Sequence, residues 1–166
     1  PDATVMNASG RTVWSMVPYA FQNDETSPAT VHPSLWRQSR LNLGHGLFEV
    51  VAGVYQVRGF DIANMTLIEG KSGVIVVDTL TSVEGARAAL QLYRAHRGER
   101  PVTAIIYTHT HVDHWGGAKG GVDIADVTAG RVAVIAPNEF MEHAVSENVI
   151  AGNAMARRSF YAFGGL

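Results

Sequence analysis

The sequence predicts a layered α/β domain, and three observations lead to this class. Apolar residues make up 46% of the 166 residues, which is enough for a buried core in one domain of ordinary size. Strand-like runs rich in β-branched residues dominate residues 47–78. Helical and strand-like segments then alternate along the chain, as they do in sheets that are covered by helices.

The first 33 residues are predicted to form an irregular leader. They are rich in Ser, Thr, Asn and Asp, and Pro18, Pro28 and Pro33 interrupt regular structure. A short helix is expected over residues 34–41. We therefore place the ordered domain at residues 34–166.

Two pairs of strands are predicted at the start of this domain. Residues 47–50 and 53–57 form the first pair. Residues 65–69 and 73–78 form the second, a hairpin that turns at residues 70–72. The last of these strands is almost entirely β-branched, so we expect it to be buried on both faces.

A helix is predicted over residues 82–97, because Ser82 can cap it and its apolar residues follow helical spacing. A buried strand over residues 101–107 follows. The remaining segments are a loop or frayed helix, a second core strand and two helices, over residues 122–131, 132–136, 137–145 and 148–163, with Gly164 and Gly165 ending the last helix.

Three histidines and one aspartate lie directly after the strand at residues 101–107. They are His109, His111, Asp113 and His114. Neutral imidazole and carboxylate groups are good zinc ligands, and side chains just past a strand end can converge on one point. His109 and His111 share one side of an extended stretch, whereas Asp113 and His114 follow a turn and can face a second point. The sequence therefore predicts a hydrolase site with two metal ions.

Other residues are weaker candidates. A polar loop with surface histidines is the alternative interpretation of the motif, and the density of ligand-type residues disfavours it. Asp78, at the end of another core strand, either accepts a hydrogen bond from a ligand histidine or is a simple turn residue. Glu139 and His143 lie four residues apart, and we favour a solvated helix face over a ligand pair. Trp115 either walls an apolar pocket or packs in the core.

The composition excludes several classes of function. There is no cysteine, which excludes disulfides and thiolate metal ligands. A net charge of -2 gives no reason to expect nucleic acid as a partner. No apolar run approaches the roughly 18 residues of a membrane span. Residues 1–4 show no basic-then-apolar signal pattern.

The motif His-x-His-x-Asp-His after a buried strand resembles the signature of the metallo-β-lactamase superfamily. Neighbouring segments narrow the resemblance to the alkyl sulfatase branch of that superfamily; they are residues 33–38, 46–50, 53–65, 141–149 and 154–158. The resemblance runs from about Pro33 to the end of the chain. It implies a metallo-β-lactamase-like αββα sandwich, of which residues 34–166 form the first half.

The resemblance also implies a chemistry for the motif. His109 and His111 would hold one Zn²⁺ ion, and Asp113 and His114 would hold a second. Asp113 would also help to orient the attacking hydroxide, and Asp78 matches a supporting acidic position. The implied reaction is hydrolysis of alkyl sulfate esters to alcohol and sulfate, by a homodimer in the periplasm or outside the cell.

One departure from the family pattern limits this inference. Members of the family complete the site with glutamates and a histidine further along the chain, and these have no counterpart before Leu166. Four residues cannot close two zinc sites, so we expect the chain to be part of a longer molecule and to be active only with the rest of it. The alternatives are a related hydrolase of lactams, thioesters or phosphodiesters, and a catalytically inactive assembly module.

Overall fold

A computed structural model describes residues 3–163. The strands, in chain order, are β1 (Thr4–Met6), β2 (Thr12–Ser15), β3 (Gly46–Val51), β4 (Val54–Arg58), β5 (Met65–Glu69), β6 (Val74–Val77), β7 (Val102–Ile106) and β8 (Ala133–Ile135). The α-helices are α1 (Pro33–Leu41), α2 (Val83–Arg97), α3 (Val112–Trp115), α4 (Ala118–Gly121), α5 (Ile124–Thr128), α6 (Phe140–Val145) and α7 (Gly152–Phe163). A 3₁₀ helix at Val17–Asn23 and a π-helix at Ser146–Ile150 complete the description.

The sheet topology brings several strand ends to one edge. Strands β3 to β8 form one sheet in sequence order, antiparallel from β3 to β6 and parallel from β6 to β8. Strands β4, β6, β7 and β8 therefore run in the same direction and end at the same edge. We call this the carboxyl edge. Val77 pairs with Ile106, and Ile106 with Ile135, so the residues after these three strands start level with one another.

The core lies between the sheet and α2. Val74 and Val76 of β6 are fully buried, and so are Ala86, Ala89 and Tyr93 of α2. The spacing of the three α2 residues matches one face of a helix, as the sequence predicted. Ser82 caps α2 by accepting a hydrogen bond from the amide of Gly85, and Gly98 with φ 81° ends the helix. The predicted strands, the hairpin and the helix at residues 82–97 are thus confirmed.

The first 33 residues are more regular than expected. Strands β1 and β2 pair as a short antiparallel hairpin, and the 3₁₀ helix follows it. The indole of Trp14 donates a hydrogen bond of 2.8 Å to the carbonyl of Gly59. The expectation of an irregular leader was therefore wrong for the described part of this segment. Its proline count indicated breaks in regular structure, but it did not reveal the pairing between the segments that the breaks separate.

Strand burial also differs from the prediction at two places. Residues Ile75 and Val77 of β6 are only half-buried, so this strand is not buried on both faces. Strand β8 is an edge strand whose Val134 and Ile135 are exposed, and of the predicted core strand only Val132 is buried. Within residues 3–163 no helix packs extensively on β8, which leaves these side chains exposed.

The helices after β8 begin and end differently from the prediction. Helix α6 begins at Phe140 because Glu139 adopts a left-handed conformation with φ 56°. The π-helix then separates α6 from α7, where the sequence predicted one helix over residues 148–163. The predicted stop at Gly164 and Gly165 lies outside the described residues. None of the helices in residues 3–163 is long and apolar enough to cross a membrane.

An ion-pair cluster lies at the edge of the sheet opposite the carboxyl edge. Glu69 accepts hydrogen bonds from Arg97 Nε at 3.1 Å and from the hydroxyl of Tyr93 at 3.0 Å. The hydrogen bond from Arg97 is the largest cause of a lowered pKa of Glu69, and the bond from Tyr93 lowers it further. Burial, and then the bond to Glu69, raises the pKa of Tyr93 to about 12.

We expect Glu69→Gln to destabilise the protein in a pH-dependent manner. The pKa of Glu69 is lower in the folded chain than in the unfolded chain, so its ionised form favours folding. The stability that wild type gains over the variant should be complete above about pH 4.5 and should decline as the pH falls through the folded-state pKa. Urea denaturation at pH 7, 5 and 3.5 measures it. Glu99→Gln, at a carboxylate with 83% side-chain exposure, is the matched control. A difference that does not change with pH would contradict the prediction.

Candidate metal centre

Asp78 follows β6 at the carboxyl edge and is 7% exposed. Its φ of 58° lies in the left-handed region, which aspartate tolerates better than most residues. Its Oδ1 atom accepts a 2.8 Å hydrogen bond from the amide of Thr108, and its Oδ2 atom accepts one of 2.7 Å from the Thr108 hydroxyl. Oδ2 also lies 2.6 Å from Nδ1 of His114. This last contact is the one required of a carboxylate that supports a ligand histidine.

These contacts assign the protons of two histidines. A carboxylate only accepts hydrogen bonds, and His114 has a carboxylate beside each ring nitrogen: Asp78 lies 2.6 Å from Nδ1 and Asp113 lies 3.2 Å from Nε2. The shorter contact decides the neutral form, so Nδ1 carries the proton and donates to Asp78. The single hydroxyl proton of Thr108 is given to Asp78, so Nδ1 of His109, 2.9 Å from that hydroxyl, donates to it. In their neutral forms both rings therefore carry a lone pair on Nε2, the atom that binds a metal.

The structure brings the four predicted ligands together. The ring of His109 lies with its centroid 4.0 Å from that of His114 and 4.7 Å from that of His111. Asp113 Oδ2 lies 3.2 Å from Nε2 of His114. The side chains of the motif therefore lie next to one another at the carboxyl edge.

Three imidazoles and one carboxylate are ligand types that bind zinc well. Two ligand atoms at 2.0–2.1 Å from a tetrahedral Zn²⁺ ion are separated by about 3.3 Å. Asp113 Oδ2 and His114 Nε2 have nearly this separation. Within residues 3–163, however, no three His, Asp or Glu side chains are placed to share one ion. Metal binding by His109, His111, Asp113 and His114 thus stays a prediction.

The backbone of the motif packs against the turn after β6. The amide of Thr79 donates to the carbonyl of His114 at 2.7 Å, and the amide of Gly117 donates to the carbonyl of Leu80 at 2.8 Å. Leu80 is fully buried with φ 63°, a costly conformation for a branched residue. Glycine is required at Gly117, because a Cβ there would collide with the carbonyl oxygens of Thr79 and Ser82.

Trp115 has a packing role and a hydrogen-bonding role. Its indole donates 2.8 Å to the carbonyl of Thr110, inside the motif. Its ring meets Phe140 edge-on with the centroids 6.1 Å apart, and Phe140 stacks on Tyr107 at 5.4 Å. The aromatic cluster therefore holds the motif against the start of α6.

Glu139 and His143 lie apart from the motif's hydrogen bonds. His143 Nε2 is 3.6 Å from Glu139 Oε2, and the two side chains are 61% and 63% exposed. They form a solvated pair on the helix surface, as the favoured interpretation predicted.

Sequence reasoning missed four residues that contact the motif. Thr108 directly precedes His109 and Thr110 separates His109 from His111, and at such positions a short polar residue gives no separate signal. Glu147 and Asn148 come from the π-helix; Glu147 contacts His111 and Thr110, and Asn148 contacts Thr110. Their segment matched the family pattern, but nothing in its local sequence indicated that it would reach the motif.

Comparison with known proteins identifies the family of the chain. A family model described as the metallo-beta-lactamase superfamily matches residues 58–163. An (R)-specific secondary-alkylsulfatase from Pseudomonas sp. is 58% identical over 160 residues, which are 96% of this chain and 24% of that protein. An alkyl/aryl-sulfatase from Saccharomyces cerevisiae is 53% identical over 163 residues, which are 98% of this chain and 25% of that protein.

Solved structures agree with the sequence matches. The structure of a stereoselective inverting sec-alkylsulfatase from Pseudomonas sp. has 58% sequence identity and a TM-score of 0.89, and the match covers 95% of this chain and 25% of that one. The chain thus spans about a quarter of the length of the relatives it matches. These matches confirm the α/β fold class and the resemblance to the N-terminal part of alkyl sulfatases.

We expect Gly117→Ala to destabilise the protein by about 1–3 kcal/mol, because the added methyl group overpacks a contact with backbone atoms that cannot move aside easily. The matched control is Gly121→Ala in the same short helix region, where no atom lies within 4 Å of the added Cβ. Thermal unfolding measures both variants. Equal melting temperatures for the two would show that the motif is not pressed against the turn at residues 79–82.

We expect Asp78→Asn to weaken zinc binding by about 10- to 100-fold, because an amide has one acceptor oxygen. It cannot accept both the bond from the Thr108 amide at Oδ1 and the bonds from the Thr108 hydroxyl and His114 at Oδ2. Asparagine also tolerates the left-handed backbone, so the fold should persist. Competition with a chromophoric chelator in the natural full-length protein gives the affinity. Unchanged affinity would mean that Asp78 is only a turn residue.

Proposed function

The chain belongs to the metallo-β-lactamase superfamily, and from this premise we propose that it forms part of a zinc-dependent enzyme that hydrolyses alkyl sulfate esters to an alcohol and sulfate. One observation carries the proposal. His109, His111, Asp113 and His114 gather at the carboxyl edge, in a chain that is more than half identical to named alkylsulfatases. The match extends along nearly the whole chain rather than the motif alone, which favours this branch of the superfamily.

The proposed metal site would hold two Zn²⁺ ions. His109 and His111 would bind one, and Asp113 and His114 the other, and each ion would need further ligands to complete its coordination. Bound zinc lowers the pKa of water towards neutrality and stabilises negative charge on the sulfate group.

The residues of this chain prepare the site in three ways. Asp78 keeps the proton of His114 on Nδ1, which leaves Nε2 free to bind. Thr108 does the same for His109 through its hydroxyl. We propose that the Asp113 carboxylate accepts a hydrogen bond from the attacking water and so orients the water for attack.

Hydrolysis of alkyl sulfates tests the proposal directly. The natural full-length protein, loaded with zinc, should release sulfate from dodecyl sulfate and from 2-octyl sulfate, and a chelator should abolish the release. Asp113→Asn should lower kcat by about 10²-fold or more. Asp126→Asn, which removes an exposed ion pair with Arg131, is the control and should leave kcat unchanged. Reaction in ¹⁸O-labelled water locates the attack, because label in the alcohol indicates carbon and label in the sulfate indicates sulfur.

Two other outcomes would replace this proposal. Hydrolysis of a lactam, thioester or phosphodiester in a substrate panel, with the alkyl sulfates left intact, would assign the chain to another hydrolase of the superfamily. Near-zero zinc content in the full-length protein would favour a catalytically inactive assembly module. The homodimer and the periplasmic or secreted location implied by the resemblance stay predictions.

A further inference from the structure

Glu147 contacts the metal motif from a segment that is distant in the sequence. Its Oε1 atom lies 2.8 Å from Nε2 of His111, and its Oε2 atom accepts a 3.0 Å hydrogen bond from the hydroxyl of Thr110. The Glu147 side chain is 21% exposed, and that of His111 is 55% exposed. One carboxylate therefore contacts two consecutive residues of the motif, and both of its oxygens are engaged.

The π-helix brings Glu147 to this position. Residues Ser146–Ile150 wind more widely than an α-helix, and the amide of Ala151 donates to the carbonyl five residues earlier. Such π-helical turns are rare in proteins, but those that do occur often lie at functional sites. The wider turn occupies the gap that the sequence predicted between two helices, at residues 146–147, and the first three residues of the second predicted helix.

Asn148 also contacts Thr110. Its side-chain amide donates 3.2 Å to the carbonyl of Thr110 and 2.8 Å to the carbonyl of Ala144. Trp115 donates to the Thr110 carbonyl as well. Thr110, which separates His109 from His111, is thus held by its hydroxyl and by its carbonyl, and the Glu147 carboxylate has a defined approach to the motif.

We propose that Glu147 is a positioning residue that sets the tautomer and the ring orientation of His111 for metal binding. A carboxylate only accepts hydrogen bonds, so the 2.8 Å contact places the proton of neutral His111 on Nε2. Nδ1 then carries the lone pair and is the ring atom left to bind an ion. The inference rests on the zinc site of the proposed function, but on no assumption about the substrate.

The other two histidines differ from His111 in this respect. In His109 and His114 the hydrogen-bonded nitrogen is Nδ1, which leaves Nε2 for the ion. Three different acceptors therefore give the motif a mixed set of metal-binding nitrogens. Loss of such a supporting carboxylate usually weakens metal binding, because the ring is then less basic and less well oriented.

Zinc affinity in the natural full-length protein gives the first test. Glu147→Ala should weaken binding by about 10- to 100-fold, measured by competition with a chromophoric chelator. Glu147→Gln should recover most of this loss, because its amide can accept from His111 and donate to Thr110. Glu142→Ala removes the same charge from an exposed position in α6 and should change nothing. Circular dichroism checks that each variant is folded, and Glu147→Asp replaces Glu147→Ala if that variant unfolds.

The tautomer of His111 gives the second test, one that a purely structural role would not affect. Long-range ¹H–¹⁵N correlation spectra of the metal-free, histidine-labelled protein should show the Nε2–H form of His111 in wild type and in Glu147→Gln. In Glu147→Ala this preference should be lost. An unchanged tautomer in Glu147→Ala would overturn the proposal, as would a Glu147→Gln variant that binds zinc as weakly as Glu147→Ala.

These results are independent of the substrate. A protein that binds zinc with this dependence on Glu147, yet leaves alkyl sulfates intact, would refute the proposed reaction and keep the role of Glu147. A protein that hydrolyses alkyl sulfates, with zinc affinity unaffected by Glu147→Ala, would refute the role and keep the reaction.

Discussion

The site depends on the hydrogen bonds of one buried carboxylate, that of Asp78. It joins the end of β6 to Thr108, the second residue after β7, and it joins both to the helical turn of the motif through His114. A buried charge is stable only when it is well hydrogen-bonded, so the loops that supply these donors are constrained to meet there. The backbone bonds of Thr79 and Leu80 to the motif reinforce the same arrangement.

The ion-pair cluster around Glu69 and the candidate metal site lie at opposite edges of the sheet. At the carboxyl edge the chain adopts two left-handed residues, Asp78 and Leu80, and packs Gly117 against backbone carbonyls. At the opposite edge, Glu69 ties β5 to α2 by bonds to Arg97 and Tyr93. Strained backbone persists only where the surrounding structure determines it, and here the α2 core below the motif supplies that support.

The three imidazoles of the motif are oriented by three different acceptors: a hydroxyl for His109, the Glu147 carboxylate for His111 and the Asp78 carboxylate for His114. In the proposed site each acceptor would hold the proton on one ring nitrogen and leave the other nitrogen for an ion. Such acceptors can orient the ligand rings before a metal binds. The contacts that would prepare the site for the proposed sulfate ester hydrolysis are therefore made within this chain.

The sequence by itself determined the α/β class, most strands of the sheet and the four ligand-type residues, because these follow from local periodicity and from residue types at a strand end. It did not reveal the hairpin of β1 and β2, the exposure of β8 or the π-helix, because each depends on which distant segment lies alongside. Only the tertiary structure placed Asp78 against His114, and Glu147 against Thr110, 37 residues earlier in the chain. A hydrogen bond between side chains so far apart is a property of the packed chain, and no local pattern encodes it.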